Sequence, residues 1–467
     1  MVAASTCRRP WATLAAALCL GSQVVGAIDL DLSSQDSIKS AAGSVAKGMM
    51  TFYHGNEEGN VPGTLPDPYY WWEAGGMLGA LIDYWHFTGD SSYNDIVQQG
   101  ILHQAGPENS FMPPNQTRTE GNADQVVWAQ AALSAAEYSF PDPPAEDPQW
   151  LDLAKNAFDT MAARWDTETC DGGLRWQIFQ YNPGYDYKDA ASNGGFFNLA
   201  ARLARFTGND TYADWAVKAW DWSSEIGLIG SDFSIYDGTS TDTGCSEINK
   251  LQWSYNYGAY MSGAASMYNS TGGDTQWKRR IDGFLLNASG SFFKNDIMTE
   301  VACEDAKTCN VDQNSFKSYF ARDLAATVQM APYMQDPVME KLSASAKAAA
   351  KVCVVSGDND TDESIAVCPL DWRNPSDSDS PKNDVGTQMS ALQVIQANLV
   401  QQGSAPVNSE TASNTDAQGD STSPSDAGTP TTSGSGGATS TGAAPELSAQ
   451  QMMLASPIIS LLFGYFL

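Results

Sequence analysis

His86-Phe87-Thr88-Gly89-Asp90-Ser91-Ser92-Tyr93 returns, lightly changed, as Arg205-Phe206-Thr207-Gly208-Asn209-Asp210-Thr211-Tyr212. A degenerate third copy stands at Asn269-Ser270-Thr271-Gly272-Gly273-Asp274. An apolar, Gly/Ala-rich run precedes each copy, and a run with apolar residues at helical spacing follows it. Glycine accepts the left-handed conformation in which helices end, and Ser, Thr or Asp can cap the helix that comes next. The unit therefore reads as an apolar helix, a glycine stop and an amphipathic helix.

Extended along the chain, this rhythm predicts apolar helices near 70–88, 124–139, 190–206, 253–269, 316–334 and 386–400. Amphipathic helices fall near 35–53, 91–105, 148–164, 211–226, 274–292 and 336–350. Short β-rich runs, such as Leu174 to Phe179, sit in the long loops between them. About six alternating pairs fit an all-α fold, the (α/α)6 toroid, with apolar helices inside, amphipathic helices outside and a cleft at one rim. Gly75, Gly76, Gly79, Gly194 and Gly195 would let the inner helices approach closely. An open α-solenoid would need more uniform repeat lengths than these.

Both ends of the 467-residue chain read as addresses. Arg8 and Arg9 before the apolar run Leu14 to Leu20, then Val25-Gly26-Ala27, make residues 1–27 a secretory signal. Residues 28–402 are the expected folded domain. From 403 to 444 the chain turns to Ser, Thr, Gly, Ala and Pro, which cannot offset its ordering entropy and reads as a disordered stalk. Residues 445–467 read as a GPI-attachment signal, with small residues at Gly436 to Gly442 as the attachment site and an apolar tail from Met452. A genuine tail anchor would want roughly twenty residues, more than this tail offers. Such a chain would be exported and held at the cell surface by a GPI anchor.

Six cysteines remain after the signal, and the close spacings favour Cys303–Cys309 and Cys353–Cys368, leaving Cys170–Cys245. Sequons at Asn115, Asn209, Asn269, Asn287 and Asn359 suit an exported glycoprotein. A formal charge of −30 argues against nucleic acid as a partner. The histidines are His54, His86 and His103, with no HExxH and no Cys/His cluster, so neither a metal nor another cofactor is expected. The Cys303 to Cys309 segment reads as a disulfide ring, and Asp358 to Asp362 as a solvated loop. An excess of aromatics, 14 of them Trp, suits stacking on the C–H faces of sugars as well as core packing.

Glu120-Gly121-Asn122-Ala123-Asp124-Gln125-Val126-Val127-Trp128 opens the second apolar helix. Asp124 falls in its first turn, where the macrodipole should hold a carboxylate pKa down. With Tyr69-Tyr70-Trp71-Trp72-Glu73-Ala74-Gly75, Gly172-Gly173-Leu174-Arg175-Trp176-Gln177-Ile178-Phe179, Trp253-Ser254-Tyr255-Asn256 and Gln388-Met389-Ser390-Ala391-Leu392, it resembles fungal mannan endo-1,6-α-mannosidases of glycoside hydrolase family 76. The resemblance covers nearly all of residues 35–400 and implies the (α/α)6 toroid independently.

It further implies a GPI-anchored surface glycosidase acting on α-1,6-mannan or a GPI glycan. Some members are thought to be transglycosidases that pass anchored proteins to a wall glucan acceptor. In that family two consecutive aspartates act, the first as nucleophile and the second as acid/base, with retention of configuration where both exist. Carried over, Asp124 is the acid/base and Ala123 stands in the nucleophile's place. Glu120, Glu73, Asp67 and Asp186 are the carboxylates nearest to hand as substitutes. Trp71, Trp72, Trp176, Trp253 and Tyr255 are expected sugar platforms; Asn122, Gln125, Gln177 and Asn256 are expected to bond hydroxyls. The rival reading is an impaired paralogue that binds mannan or GPI glycan without cutting it.

Overall fold

The alternation of apolar and amphipathic runs becomes two concentric layers of helices. The computed structural model describes residues 26–356, 364–374, 384–409 and 411. The expected secretory signal up to Val25, the expected stalk beyond Thr411, the expected GPI-attachment segment, the Asn359 sequon and the segment Asp358 to Asp362 lie outside the described residues.

The elements run α1 (Gln35–Met50), α2 (Trp71–Thr88), α3 (Asn94–Gln104), α4 (Asn122–Glu137), α5 (Trp150–Ala163), β1 (Tyr187–Asp189), α6 (Ala190–Thr207) and α7 (Asp210–Glu225). There follow β2 (Gly238–Ser240), β3 (Ile248–Asn249), α8 (Ser254–Ser270), α9 (Thr275–Ser291), β4 (Phe293–Lys294), β5 (Ile297–Met298), α10 (Val311–Met330), α11 (Gln335–Val352), β6 (Val354–Ser356), β7 (Ile365–Val367) and α12 (Val385–Gln396). The inner ring closes in the order α2, α4, α6, α8, α10, α12 and back to α2. Outside it, α3, α5, α7, α9 and α11 each pack on the inner helix they follow, and α1 packs on α12. This is the (α/α)6 toroid.

Composition explains the layering. Inner helices such as α2 are buried on nearly every side, which suits sequences apolar all round. An outer helix buries one stripe, as α5 does with Leu153, Ala154, Ala157, Phe158 and Met161. Close approach in the ring depends on glycine at two places beside the later site. A Cβ on Gly76 would lie 1.8 Å from the Tyr319 hydroxyl oxygen, and one on Gly195 would lie 2.5 Å from Val126.

The repeated octapeptide performs as read at its glycines. Gly89 (φ 79°) and Gly208 (φ 67°) end α2 and α6 in the left-handed conformation. Asn209 then caps α7 by accepting the Thr211 N–H at 2.9 Å, and Asp274 caps α9 through Gln276 and Trp277. The first copy departs from this. Asp90 is occupied by the Ser92 N–H and the Tyr84 hydroxyl, so α3 starts later, after Tyr93, without a side-chain cap.

Strands are short, as expected: β1-β2-β3, β4-β5 and β6-β7, all antiparallel. The Leu174–Phe179 run contributes a single bridge, Gln177 to Gly121, which ties the loop to the start of α4. The disulfides are Cys170–Cys245, Cys303–Cys309 and Cys353–Cys368, the favoured set. Ion pairs join the inner helices: Arg322 of α10 pairs with Asp83 of α2 at 2.9 Å and Arg202 of α6 with Glu137 of α4 at 2.6 Å. At the C-terminal ends of the inner helices the chain beyond Gln402 keeps packing. Arg205 donates to the Pro406 and Val407 carbonyls, His86 bonds the Ser404 carbonyl, and the Val407 N–H donates to the Glu137 carbonyl.

Candidate active site

Every inner helix begins at the same rim, and each start is met by a side chain that accepts one of its free N–H groups. Glu73 accepts the Tyr70 N–H before α2, and Asp124 accepts the Gly121 N–H at 2.8 Å before α4. Asp189 caps α6, Glu300 receives the Ser254 N–H at the head of α8, Asn310 caps α10, and Asp384 caps α12. Capping alone thus crowds acids into one mouth, and burial then acts on their charge.

The mouth holds a cavity of about 530 Å³. Its walls include Trp72, Asp124, Trp176, Gln177, Trp253 and Tyr255 from the sequence-derived set. Ala123 lines it too, its methyl beside Asp124. Trp72 donates its indole N–H to Asp312 at 3.0 Å, Trp253 donates to Asp237 at 2.9 Å, and Tyr255 stacks on Phe316 at 4.1 Å. Trp176 stays 40 % exposed at the edge of the cavity.

Four of the expected sugar contacts lie behind the cavity lining instead. Trp71 is buried, stacked on Trp128 and bonded to Gln104. Asn122 donates to the Arg175 carbonyl and accepts from Arg164; Gln125 donates to Ser110 and Thr160 and accepts from the same Arg164. Asn256 is buried outside the cavity lining, its amide atoms unpartnered among the described residues. The reason is rotation: neighbours on a helix point about 100° apart, so Trp72, Ala123 and Tyr255 face inward while Trp71, Asn122 and Asn256 do not. What Asn122 and Gln125 do, with Arg164, is fix the Gly121–Gln125 turn.

The proposed substitute carboxylates are likewise absent from the lining. Glu120 is fully buried behind it, pushed up to about 8 by burial although Arg164 is near. Glu73 is also pushed to about 8 by burial, and Asp67 and Asp186 are not on the walls. The acids that do line it were missed by sequence reading: Asp189, Asp237, Asp312 and Asp323, with Tyr187 and Tyr319. Asp189 and Asp312 sit where an apolar helix begins, as Asp124 does, and that shared position was the available signal. Asp237 and Asp323 carry none.

Asp124 itself departs from the macrodipole expectation. Burial raises it to about 7; the Gly121 N–H opposes the rise, and Asp312 across the mouth adds to it. Desolvation in a crowded acidic cleft outweighs a helix dipole that is limited to the first turn. Asp189 is raised to about 7 for the same reason, and Asp323 to about 6. The site therefore holds protonated carboxyl groups near neutrality, which can donate a proton to a leaving oxygen. Among the described residues no group of three or more His, Cys, Asp or Glu is placed to hold a metal ion.

Known proteins share this chain's pattern. Mannan endo-1,6-alpha-mannosidase DCW1 of Saccharomyces cerevisiae is 45% identical over 395 residues, spanning 84% of this chain and 86% of that protein. DFG5 of the same yeast is 39% identical over 391 residues, 83% and 84% of the two chains. Among solved structures, Dfg5 from Chaetomium thermophilum in complex with glucosamine superposes with a TM-score of 0.76 at 40% identity, over 82% of this chain and 94% of that one. An inactive variant of an α-1,6-mannanase of Salegentibacter, with two adjacent aspartates replaced by asparagine and bound to α-1,6-mannotriose, shares the fold at TM-score 0.61 and 17% identity, over 78% and 99% of the chains. The glycosyl hydrolase family 76 pattern matches residues 37–410, and with this toroid and its acidic, aromatic mouth the chain belongs to glycosyl hydrolase family 76.

Proposed function

We propose that the chain is an endo-acting glycosidase of the cell surface that cleaves α-1,6-linked mannose, in free mannan or in the mannose chain of a GPI glycan. The observation that carries this is Asp124, held near pKa 7 on the wall of a cavity also lined by Trp72, Trp176, Trp253 and Tyr255. Rings of that kind take the apolar faces of sugars, and a carboxyl group titrating near neutrality is the acid that glycosidic cleavage requires. The cavity volume is in the range of small-molecule sites. The names of the DCW1 and DFG5 relatives point to the same substrate class. Export and a GPI tether rest on the sequence reading of the two ends and on the resemblance.

The test is turnover of α-1,6-mannooligosaccharides by the purified protein. Cleavage is expected, and Asp124→Asn should reduce kcat by at least about a hundredfold while the oligosaccharide still binds. Ala123 on the wall favours one other reading, a glycan binder. Calorimetric binding of the oligosaccharide without any turnover would establish that reading in place of the enzyme.

A further inference from the structure

The family's paired aspartates are adjacent on one helix, and here the first of the two positions carries a methyl group. The second carboxyl of the reaction must then come from elsewhere on the cavity wall. Four acids are available. Asp189 is engaged as the cap of α6. Asp237 accepts from Tyr187, Asn249 and Trp253, which use both its oxygens. Asp323 accepts from Ser262 and is a neighbour in sequence of Arg322, which pairs with Asp83. Asp312 accepts one bond among the described residues, from the Trp72 indole.

Position separates Asp312 from the others as well. In the ring order α2, α4, α6, α8, α10, α12, the helix opposite α4 is α10. Asp124 and Asp312 lie in the first turns of these two helices and line one cavity. Neighbouring helices pack at about 8–10 Å, so opposite members of a six-membered ring stand roughly 16–20 Å apart between axes. Side chains reaching in from both sides leave a gap that a sugar ring can occupy. Adjacent carboxyls suit retention, at about 5–5.5 Å; carboxyls on opposite faces, about 6.5–9.5 Å apart, leave room for a water and suit inversion.

We infer that Asp312 is the general base of a single-displacement hydrolysis in this chain, activating water on the face of the sugar opposite Asp124. This rests on the glycosidase reading above. The water oxygen bonds to the anomeric carbon as its proton passes to Asp312. The bond from that carbon to the glycosidic oxygen breaks, and the leaving oxygen takes the proton of Asp124. Trp72 holds the base in place through its indole N–H. No glycosyl-enzyme forms, so mannose goes to water and not to a glycan acceptor.

The experiment is proton NMR of α-1,6-mannooligosaccharide cleavage by the full-length protein, recording the anomer first released, with Asp312→Asn in parallel. The expected result is β-mannose at the new reducing end, no transfer products, and a kcat at least about a hundredfold lower in Asp312→Asn with KM little changed. Calorimetric binding of the same oligosaccharide shows that this variant keeps its site. α-Mannose first, or an Asp312→Asn enzyme as fast as the native one, would overturn the inference and leave the glycosidase reading standing. Binding without turnover in the native protein would overturn both the base and the enzyme. Neither binding nor turnover would remove the glycan site itself.

Discussion

A methyl group at position 123 and a carboxyl at 124 set the chemistry of this cleft. Placing a carboxylate back at Ala123 restores an adjacent pair and supplies a nucleophile that attacks without waiting for water. Ala123→Asp should therefore switch the first product from β- to α-mannose, bring transfer products to an added mannose acceptor, and raise kcat; NMR and product chromatography read all three. The new charge would also disfavour ionisation of Asp124, so the alkaline limit of activity should move upward. In the native protein that limit reflects Asp124 losing its proton: kcat/KM is expected to fall as pH rises through about 7. A kcat/KM that stays level from pH 6 to 9 would remove Asp124 as the acid.

At the scale of helices and loops, the parts readable from sequence are those decided locally. Helix period and glycine stops are local, and the twelve α-helices of the described residues stand close to where they were expected. The α3 start was not readable, because Asp90 is drawn to the Tyr84 hydroxyl one turn back on α2. In the site, a motif located each helix start but not its rotation about the axis, which is set when the ring closes. That is why Trp71 and Trp72, adjacent in one motif, end on different sides of the wall. The ring tolerates little extra volume where it closes. Gly76→Ala would drive a methyl into Tyr319, a cavity residue, and should cost about 1–3 kcal/mol of stability, measured by chemical denaturation, and weaken oligosaccharide binding. The loop carrying Trp176 leans on Lys188, which is fully buried, donates to the Thr169 and Gly172 carbonyls and pairs with Asp166 at 3.2 Å. Lys188→Met leaves Asp166 with Arg175 as its remaining cation and should destabilise by about 3–5 kcal/mol.

For the molecule as a whole, the formal charge of −30 overstates what the folded interior carries. Glu73, Glu120 and Glu300 are raised to about 8, and Asp124 and Asp189 to about 7, all chiefly by burial. A carboxyl raised on folding gives stability that is complete below its unfolded pKa of about 4 and is lost as pH climbs through the folded value. Asp166, lowered to about 2 by its Thr169 and Lys188 contacts against burial, works in the other direction and weakens the fold only as pH drops from about 4 towards 2. Tm should therefore peak in mild acid and decline steadily from pH 5 to pH 9 at fixed ionic strength. A flat or rising Tm across that interval would contradict the buried protonated acids. The base of the toroid has a mechanical consequence. Arg205 and His86 hook the chain at Ser404 to Val407, at the opposite end of the helices from Asp124 and Asp312. A pull applied to the chain at Ser404 to Val407 would load those hooks and the inner-helix ends they are mounted on, a helix length away from the mouth.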